Sequence, residues 1–293
     1  MTNSDSENIN PTQERVNRIL STVHNVPTVP QIIMEVSNLI EDPKTSAARL
    51  GKMISNDQGL VTKILAIANS PLHGIPRRVA TIDFAIVVLG FNQVKNIVMA
   101  LSMMETFKVL GNRKFDQKKY WVHSILTAAA AKRIADDLGY QTSGEVFTAG
   151  LLHDLGIPII YKFFNKEYKD IVNDVSETDI SYLEAEEKHL GITHQDIGRY
   201  LIDRWNLPVS IADVILYHHQ PSLAKNNREL TALVHLADTM TRQLMIGDFS
   251  WDESTKLDPE IIKILRLGDE EYLENFIYSY KELFEDQIEA INI

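Results

Sequence analysis

The chain has 293 residues, a formal net charge of −11, nine histidines and no cysteine, with 44% hydrophobic and 24% charged residues. That length and composition fit a globular protein of roughly two domains or one large one. The missing cysteine excludes disulfides, thiolate zinc sites, iron–sulfur clusters and thiol nucleophiles, so any metal site must be built from His, Asp and Glu.

Residues 1–14 are polar and carry no basic-then-apolar leader pattern, which predicts a mobile tail with structure beginning near Arg15. From there to 245 the pattern is helical. Ile32, Val36, Leu39 and Ile40 recur at three- and four-residue spacing, as do Leu60, Ile64, Leu65 and Ala68. Residues 15–115 are expected to form an N-terminal helical half and 116–245 a second half. Asp42-Pro43 and Ser70-Pro71, with Gly74 and Pro76, are breaks. Residues 45–70 can be read as a helix-turn-helix, and 45–100 carry six Lys plus Arg against Asp57 and Asp83. That excess suits either a phosphate-binding face or a solvated surface paired with an acidic region of the same chain. Residues 83–89 fit a buried helix. The longest apolar run, near 85–91, is seven residues, too short for a bilayer, so the expectation is a cytoplasmic protein with no membrane contact. Its acidic balance disfavours nucleic acid as a partner.

Gly111 is expected to close one helix and Gly139 to end the Ala-rich stretch 125–138. Thr193-His194-Gln195-Asp196 reads as a capped helix start. Pro208 suits a first turn, and Pro221 a stop. No stretch alternates with period two, so the fold class is all-α. Residues 246–293 differ from the rest: 13 Asp plus Glu face four Lys plus Arg, a net −9. Ile261, Ile262 and Leu265, then Leu273, Phe276, Ile277, Tyr280, Leu283 and Phe284, form apolar stripes. They predict a packed, helical C-terminal extension with an acidic outer face.

Histidine carries the chemical signal. Leu151-Leu152-His153-Asp154-Leu155-Gly156 sets an adjacent His-Asp pair at the end of an apolar segment, and Tyr217-His218-His219-Gln220 sets two adjacent imidazoles before Pro221. A carboxylate among leucines needs a partner, either a metal or an imidazole. Asp238 shares a helical stripe with Leu230, Val234, Thr241 and Met245. It is placed either to join a site or to pair with Arg242 one turn on. His24, His73, His189 and His235 read as ordinary surface or core residues, as does His123 taken alone. The paired positions favour a divalent cation held by imidazole and carboxylate.

Three blocks resemble a known family. Val26-Pro27-Thr28-Val29-Pro30, Leu65-Ala66-Ile67-Ala68-Asn69-Ser70 and Ile82-Asp83-Phe84-Ala85-Ile86 with Leu89-Gly90 are similar to the N-terminal signature of HDOD proteins. These are bacterial signalling proteins on the HD-domain hydrolase scaffold. Gly150 to Gly156 resembles the HD block itself. His194-Gln195-Asp196-Ile197-Gly198, Trp205-Asn206-Leu207-Pro208 and His218-His219 also resemble the related HD-GYP phosphodiesterases. The resemblance spans about residues 16–245 and implies an HD-like helical bundle with a metal site between helices. It assigns His123, His153, Asp154 and Asp238 to one ion and His194, His218 and His219 to a second, with Asp154 bridging. One or two divalent ions are expected, iron or manganese favoured and zinc possible, and Asp154 would be the catalytic group of an active enzyme.

Two departures bear on activity. Catalytic relatives commonly place a phosphate-holding lysine three residues after the His-Asp pair, where this chain has Ile157 and then Pro158. The Gly-Tyr-Pro stretch after the paired histidines is replaced by Pro221-Ser222-Leu223-Ala224. Arg77, Arg78 and Lys95 are candidates to substitute for the lysine from another helix. The expectation is a signal-transduction module with bound metal and little or no hydrolase activity, whose partners are signalling proteins. A metal-dependent phosphohydrolase acting on a phosphoester is the alternative. Oligomeric state is left open.

Overall fold

The computed structural model describes residues 11–21, 29–73, 75, 77–106, 115–141, 144–244, 249, 251 and 256–291. They form seventeen α-helices and two short 3-10 turns, with no strand among them. The N-terminal half holds α1 (Pro11–Ser21), α2 (Gln31–Glu41), α3 (Ala47–Ile54), α4 (Gln58–Ala68), α5 (Ile82–Leu89) and α6 (Phe91–Thr106). The second half holds α7 (Gln117–Asp137), α8 (Glu145–Leu152), α9 (Gly156–Phe163), α10 (Asn165–Glu177), α11 (Tyr182–His189), α12 (His194–Arg204), α13 (Val209–Tyr217) and α14 (Arg228–Gln243). Helices α15 (Ile261–Leu265), α16 (Glu270–Ser279) and α17 (Lys281–Ile291) follow.

Helix starts follow local chemistry. Ser46, Asp57 and Thr81 cap α3, α4 and α5 through side-chain oxygens that accept the Arg49, Leu60 and Phe84 amides. Two helices joined by a short turn therefore do occupy residues 45–70. The first helix begins at Pro11, four residues before the expected start, because Val16 and Leu20 give it a buried stripe against α12. Gly111, Met245 and His24 lie outside the described residues.

Helix α5 departs from the buried reading. Ile82, Ala85 and Ile86 face inward, whereas Phe84, Val87 and Val88 are exposed, because the neighbouring helices cover one side only. Helix α13 ends at Tyr217, earlier than Pro221 demands, since His218 already occupies its C-cap position; Pro221 instead opens the 3-10 turn Pro221–Leu223.

The second half is organised on α7, which packs against both α8 and α14. Its start is capped by Asp116, whose side chain accepts the Lys118 and Lys119 amides. Ala128 to Ala131 keep its inner face thin. Gly150 of α8 uses that thinness: a Cβ there would stand 2.8 Å from the Ala128 Cα. Long α7 and α14 thus form a packed pair that carries His123 and Asp238 on facing surfaces.

The acidic C-terminal segment is helical and packed. Ile261, Leu265, Leu273, Ile277 and Phe284 are buried. Helix α15 lies on α14, and α17 lies on α4, α7 and the 3-10 turn Pro71–His73. Buried Gln287 accepts hydrogen bonds from the Ser70 hydroxyl and the Leu72 amide. Glu270, Glu271, Glu274, Glu282, Glu285 and Asp286 line the outer face. Among the described residues no ion pair joins this segment to the basic stretch 45–100. Arg49 there pairs with Asp42, and Lys63 with Glu105. No single described helix is long and apolar enough to cross a membrane; α5 and α6 reach that length only as a pair bent by 116°.

Candidate metal centre

The adjacent pairs owe their geometry to helix ends. His153 is the C-cap residue of α8 and His218 the C-cap residue of α13. Each ring turns back on its own helix: His153 Nδ1 lies 2.7 Å from the Gly150 carbonyl and His218 Nδ1 lies 2.8 Å from the Ile215 carbonyl. A carbonyl can only accept, so Nδ1 carries the proton in both rings and Nε2 is left facing inward as a lone-pair donor. That is the arrangement by which ligating histidines are oriented in metal sites. Asp154 follows in the turn between α8 and α9. His194 is the first residue of α12, whose start is fixed by a capping box of Thr193 and Asp196.

These elements bring together all seven side chains singled out in the sequence. Asp154, Asp238, His153, His194 and His218 have no solvent exposure, and His219 and His123 have 3% and 6%. Asp154 faces two ways. Its Oδ2 lies 3.1 Å from His153 Nε2 and 3.4 Å from His123 Nε2, while its Oδ1 lies 3.4 Å from His218 Nε2 and 3.7 Å from His194 Nε2. On one side Asp238 Oδ1 is 3.2 Å from His123 Nε2, which is 3.3 Å from His153 Nε2. On the other, His194 Nε2 is 3.2 Å from His219 Nε2 and 3.5 Å from His218 Nε2.

Three buried oxygens, both of Asp154 and Oδ1 of Asp238, accept no hydrogen bond. An uncompensated buried carboxylate costs several kcal/mol. Donors held about 2.0–2.2 Å from one ion must stand about 3–3.5 Å from each other. The spacing here is of that kind and mostly longer than an ordinary hydrogen bond. Orphaned carboxylate oxygens ringed by imidazole lone pairs fit a divalent cation. Three overlapping groups meet the requirement: His123, His153 and Asp238; His153, Asp154 and His218; and His194, His218 and His219.

Electrostatics divides the centre into two sides. Burial alone would raise both carboxyls, yet the charges around them win. His153, His123 and His218 hold Asp154 well below the usual carboxylate range, and Arg242 with His123 and His153 does the same for Asp238. Burial disfavours charge on His123, but Asp154 and Asp238 outweigh it and push its pKa up to about 10. Without a cation, a proton on His123 offsets the two carboxylates. Burial keeps His218 and His219 below the ordinary imidazole value, reinforced by neighbouring rings, so both are neutral and available as ligands.

Outer contacts hold the inner ring. Glu186 of α11, fully buried, accepts the His194 amide at 2.7 Å and faces His194 Nδ1 at 2.9 Å. Its Oε1 also accepts the Trp251 indole N–H at 2.7 Å. The Phe249 ring stacks on His123 with centroids 5.3 Å apart. Arg242 donates to Asp238 Oδ2 at 3.0 Å, so the intrahelical pairing and the site both use Asp238. His235 stays outside the ring of donors. Its Nδ1 donates to the His218 carbonyl at 2.6 Å and its Nε2 accepts the Asp258 amide at 2.9 Å. His189 pairs with Asp174 at 2.7 Å, away from the centre. Ile157 is buried in the core and Arg77 and Arg78 are exposed. Sequence reasoning missed Glu186, Phe249, Trp251 and Asp258. A tryptophan in an otherwise polar stretch was the only available hint.

Gly156 sets how closely α9 approaches α12. A Cβ there would fall 2.0 Å from the His194 carbonyl oxygen and 2.7 Å from its Cα, both backbone. Gly156→Ala must therefore displace the helix start that carries His194. We expect a loss of about 1–3 kcal/mol in urea unfolding. An unchanged midpoint would show that the two helices separate freely.

The all-helical fold and a His-Asp turn between two helices define an HD-like protein. A sequence model of the HDOD domain matches residues 26–221, and the chain belongs to that family. An HDOD domain protein of unknown function from Geobacter sulfurreducens is similar over 96% of this chain and 98% of its own, at 26% identity and TM-score 0.76. A protein from Shewanella amazonensis SB2B named "Putative phosphohydrolase" shares the fold at 20% identity and TM-score 0.70, covering 94% of this chain and 98% of its own. An uncharacterized protein of Treponema pallidum is 23% identical over 269 residues, 91% of this chain; the chain spans about half, 51%, of that relative. Asp238, Phe249 and Trp251 all lie beyond the matched HDOD span.

Proposed function

We propose that this chain is a signal-transduction module in which the histidine–aspartate centre holds divalent metal for structural or signalling purposes, with little or no hydrolysis. His123, His153, Asp154 and Asp238 would hold one cation, and Asp154, His194, His218 and His219 a second. Mixed imidazole and carboxylate donors suit iron or manganese, with zinc also compatible. A bound ion would supply the positive charge that Asp154 and Asp238 lack, and Lewis acidity toward any oxygen that reached it.

The observation that carries this reading is the closure of the centre. Five of its seven side chains have no solvent exposure, and Phe249 stacks on one of the other two. Among the described residues the only Lys or Arg paired with the ring is Arg242, already engaged by Asp238. The position after the His-Asp turn holds buried Ile157, which offers no charge to a phosphate. What the chain's own residues do well is to keep five imidazoles and two ionised carboxylates fixed in a dry site.

The phosphohydrolase reading is favoured by one observation, the two-sided placement of Asp154 between separate histidine sets. The two are separated by assaying metal-loaded protein on bis-p-nitrophenyl phosphate and on cyclic dinucleotides. We expect turnover below about 0.01 s−1, some two orders under the usual lower range of enzyme turnover. Faster hydrolysis that disappears in Asp238→Ala would establish the enzyme instead.

A further inference from the structure

A second concave feature lies away from the histidines. The end of α7, the start of α14 and the end of α15 border a half-open cavity of about 550 Å3, lined by Tyr140, Arg228, Glu229, Lys263, Ile264 and Arg266 among others. Ten residues of α14 separate Arg228 from Asp238, so about 15 Å of helix lies between the two sites.

Its charge runs against that of the chain. Residues 246–293 contain four basic residues, and two of them, Lys263 and Arg266, face this cavity beside Arg228. Lys263 is paired with Glu260 at 2.8 Å. The side chains of Arg228 and Arg266 make no hydrogen bond or ion pair among the described residues, in a protein with a surplus of carboxylates.

The backbone adds donors. Helix α14 starts without a side-chain cap, and its first amide to find an acceptor is that of Thr231. The amides before it are open at a helix N-terminus, where anions are favoured. Arg266 has φ +58, in the left-handed region that arginine rarely adopts, and Asn227 beside Arg228 has φ +50. At Arg266 it comes from the way α15 ends, the Arg266 and Leu267 amides both donating to the Ile262 carbonyl, and it turns the chain so that residue 266 lies at the cavity. Half-buried Tyr140 donates to the Ile264 carbonyl at 3.4 Å and forms, with Leu138 and Ile264, an apolar wall.

We propose that this cavity is a binding site for a small phosphate-bearing ligand of the mononucleotide class. The phosphate would sit between Arg228, Arg266 and the open α14 amides, and the planar body against Tyr140 and Ile264. Glu229 supplies the acceptor for a ribose hydroxyl or a base N–H. The volume is that of small-ligand pockets, about 300–1,000 Å3. Because α7 carries His123 and α14 carries Asp238, the ligand would tie the ends of both helices to the C-terminal segment. The proposal is independent of the metal reading.

The test is calorimetric titration of the full chain with AMP and, separately, inorganic pyrophosphate. Saturable 1:1 binding of AMP is expected, tighter than that of pyrophosphate. Arg228→Gln and Arg266→Gly should each weaken it at least about tenfold, the loss expected when a charged partner of phosphate is removed. Glycine accepts the positive φ at 266, so that variant loses the guanidinium without disturbing the backbone. No saturable binding, equal affinity for both probes, or affinity unchanged in the two variants would each overturn the assignment.

Discussion

Replacing His153 and Asp154 together by alanine is expected to reduce bound divalent metal from about one or two ions per chain to less than about a tenth of that. The reason is position. Asp154 presents one oxygen to His153 and His123 and the other to His218 and His194, so its removal strips both sides at once. His153 belongs to two of the three overlapping donor groups. The readout is elemental analysis of protein purified without oxygen. A second readout is thermal: an ion present at about 100 times its dissociation constant stabilises by about 2.7 kcal/mol. For a chain of this size that corresponds to roughly 4–5 °C. A chelator should lower the wild-type midpoint by that amount and leave the double variant unmoved. Equal metal content in the two proteins would defeat the metal reading.

Truncation after residue 245 is expected to abolish cooperative folding. The removed segment contributes Trp251, Ile261, Leu265, Leu273, Ile277 and Phe284 to the interior, each buried. Losing one large core side chain costs about 2–5 kcal/mol, and whole domains are stable by only about 5–15 kcal/mol. The cut also removes the indole partner of Glu186 and the backbone partner of His235, so the histidine centre loses its outer supports with the core. Near-UV circular dichroism and a thermal melt would report it. A truncated chain with an unchanged midpoint would mean that residues 246–293 are an ornament on a self-sufficient module.

These expectations differ in how early they could be formed. The His153-Asp154 and His218-His219 pairs were legible because adjacency in the chain survives folding. Each pair also sits where an apolar helix stops, and a C-cap histidine finds its own i−3 carbonyl from local geometry alone. Asp238 was legible by helical period. The structure gives it both kinds of neighbour, one oxygen facing Arg242 and the other His123. Glu186 was not legible. It stands eight residues before His194 on a separate helix, and only the course of the turn between α11 and α12 brings its carboxylate onto the His194 amide and ring. Nor was the environment of α5, whose run of apolar residues looks buried until the number of covering helices is known.

The amino-acid sequence by itself determined the all-helical class, the residue types a metal could use, and the acidic, amphipathic nature of the last 48 residues. These follow from composition and periodicity, which are local properties. Only the tertiary structure decided that the centre is closed to solvent, that Trp251 and Asp258 brace it from beyond the HDOD span, and that Arg228, Lys263 and Arg266 surround one cavity. Those outcomes depend on distances between segments far apart in the chain. Such distances are set by how all the apolar faces are buried at once, and no single window of sequence contains that information.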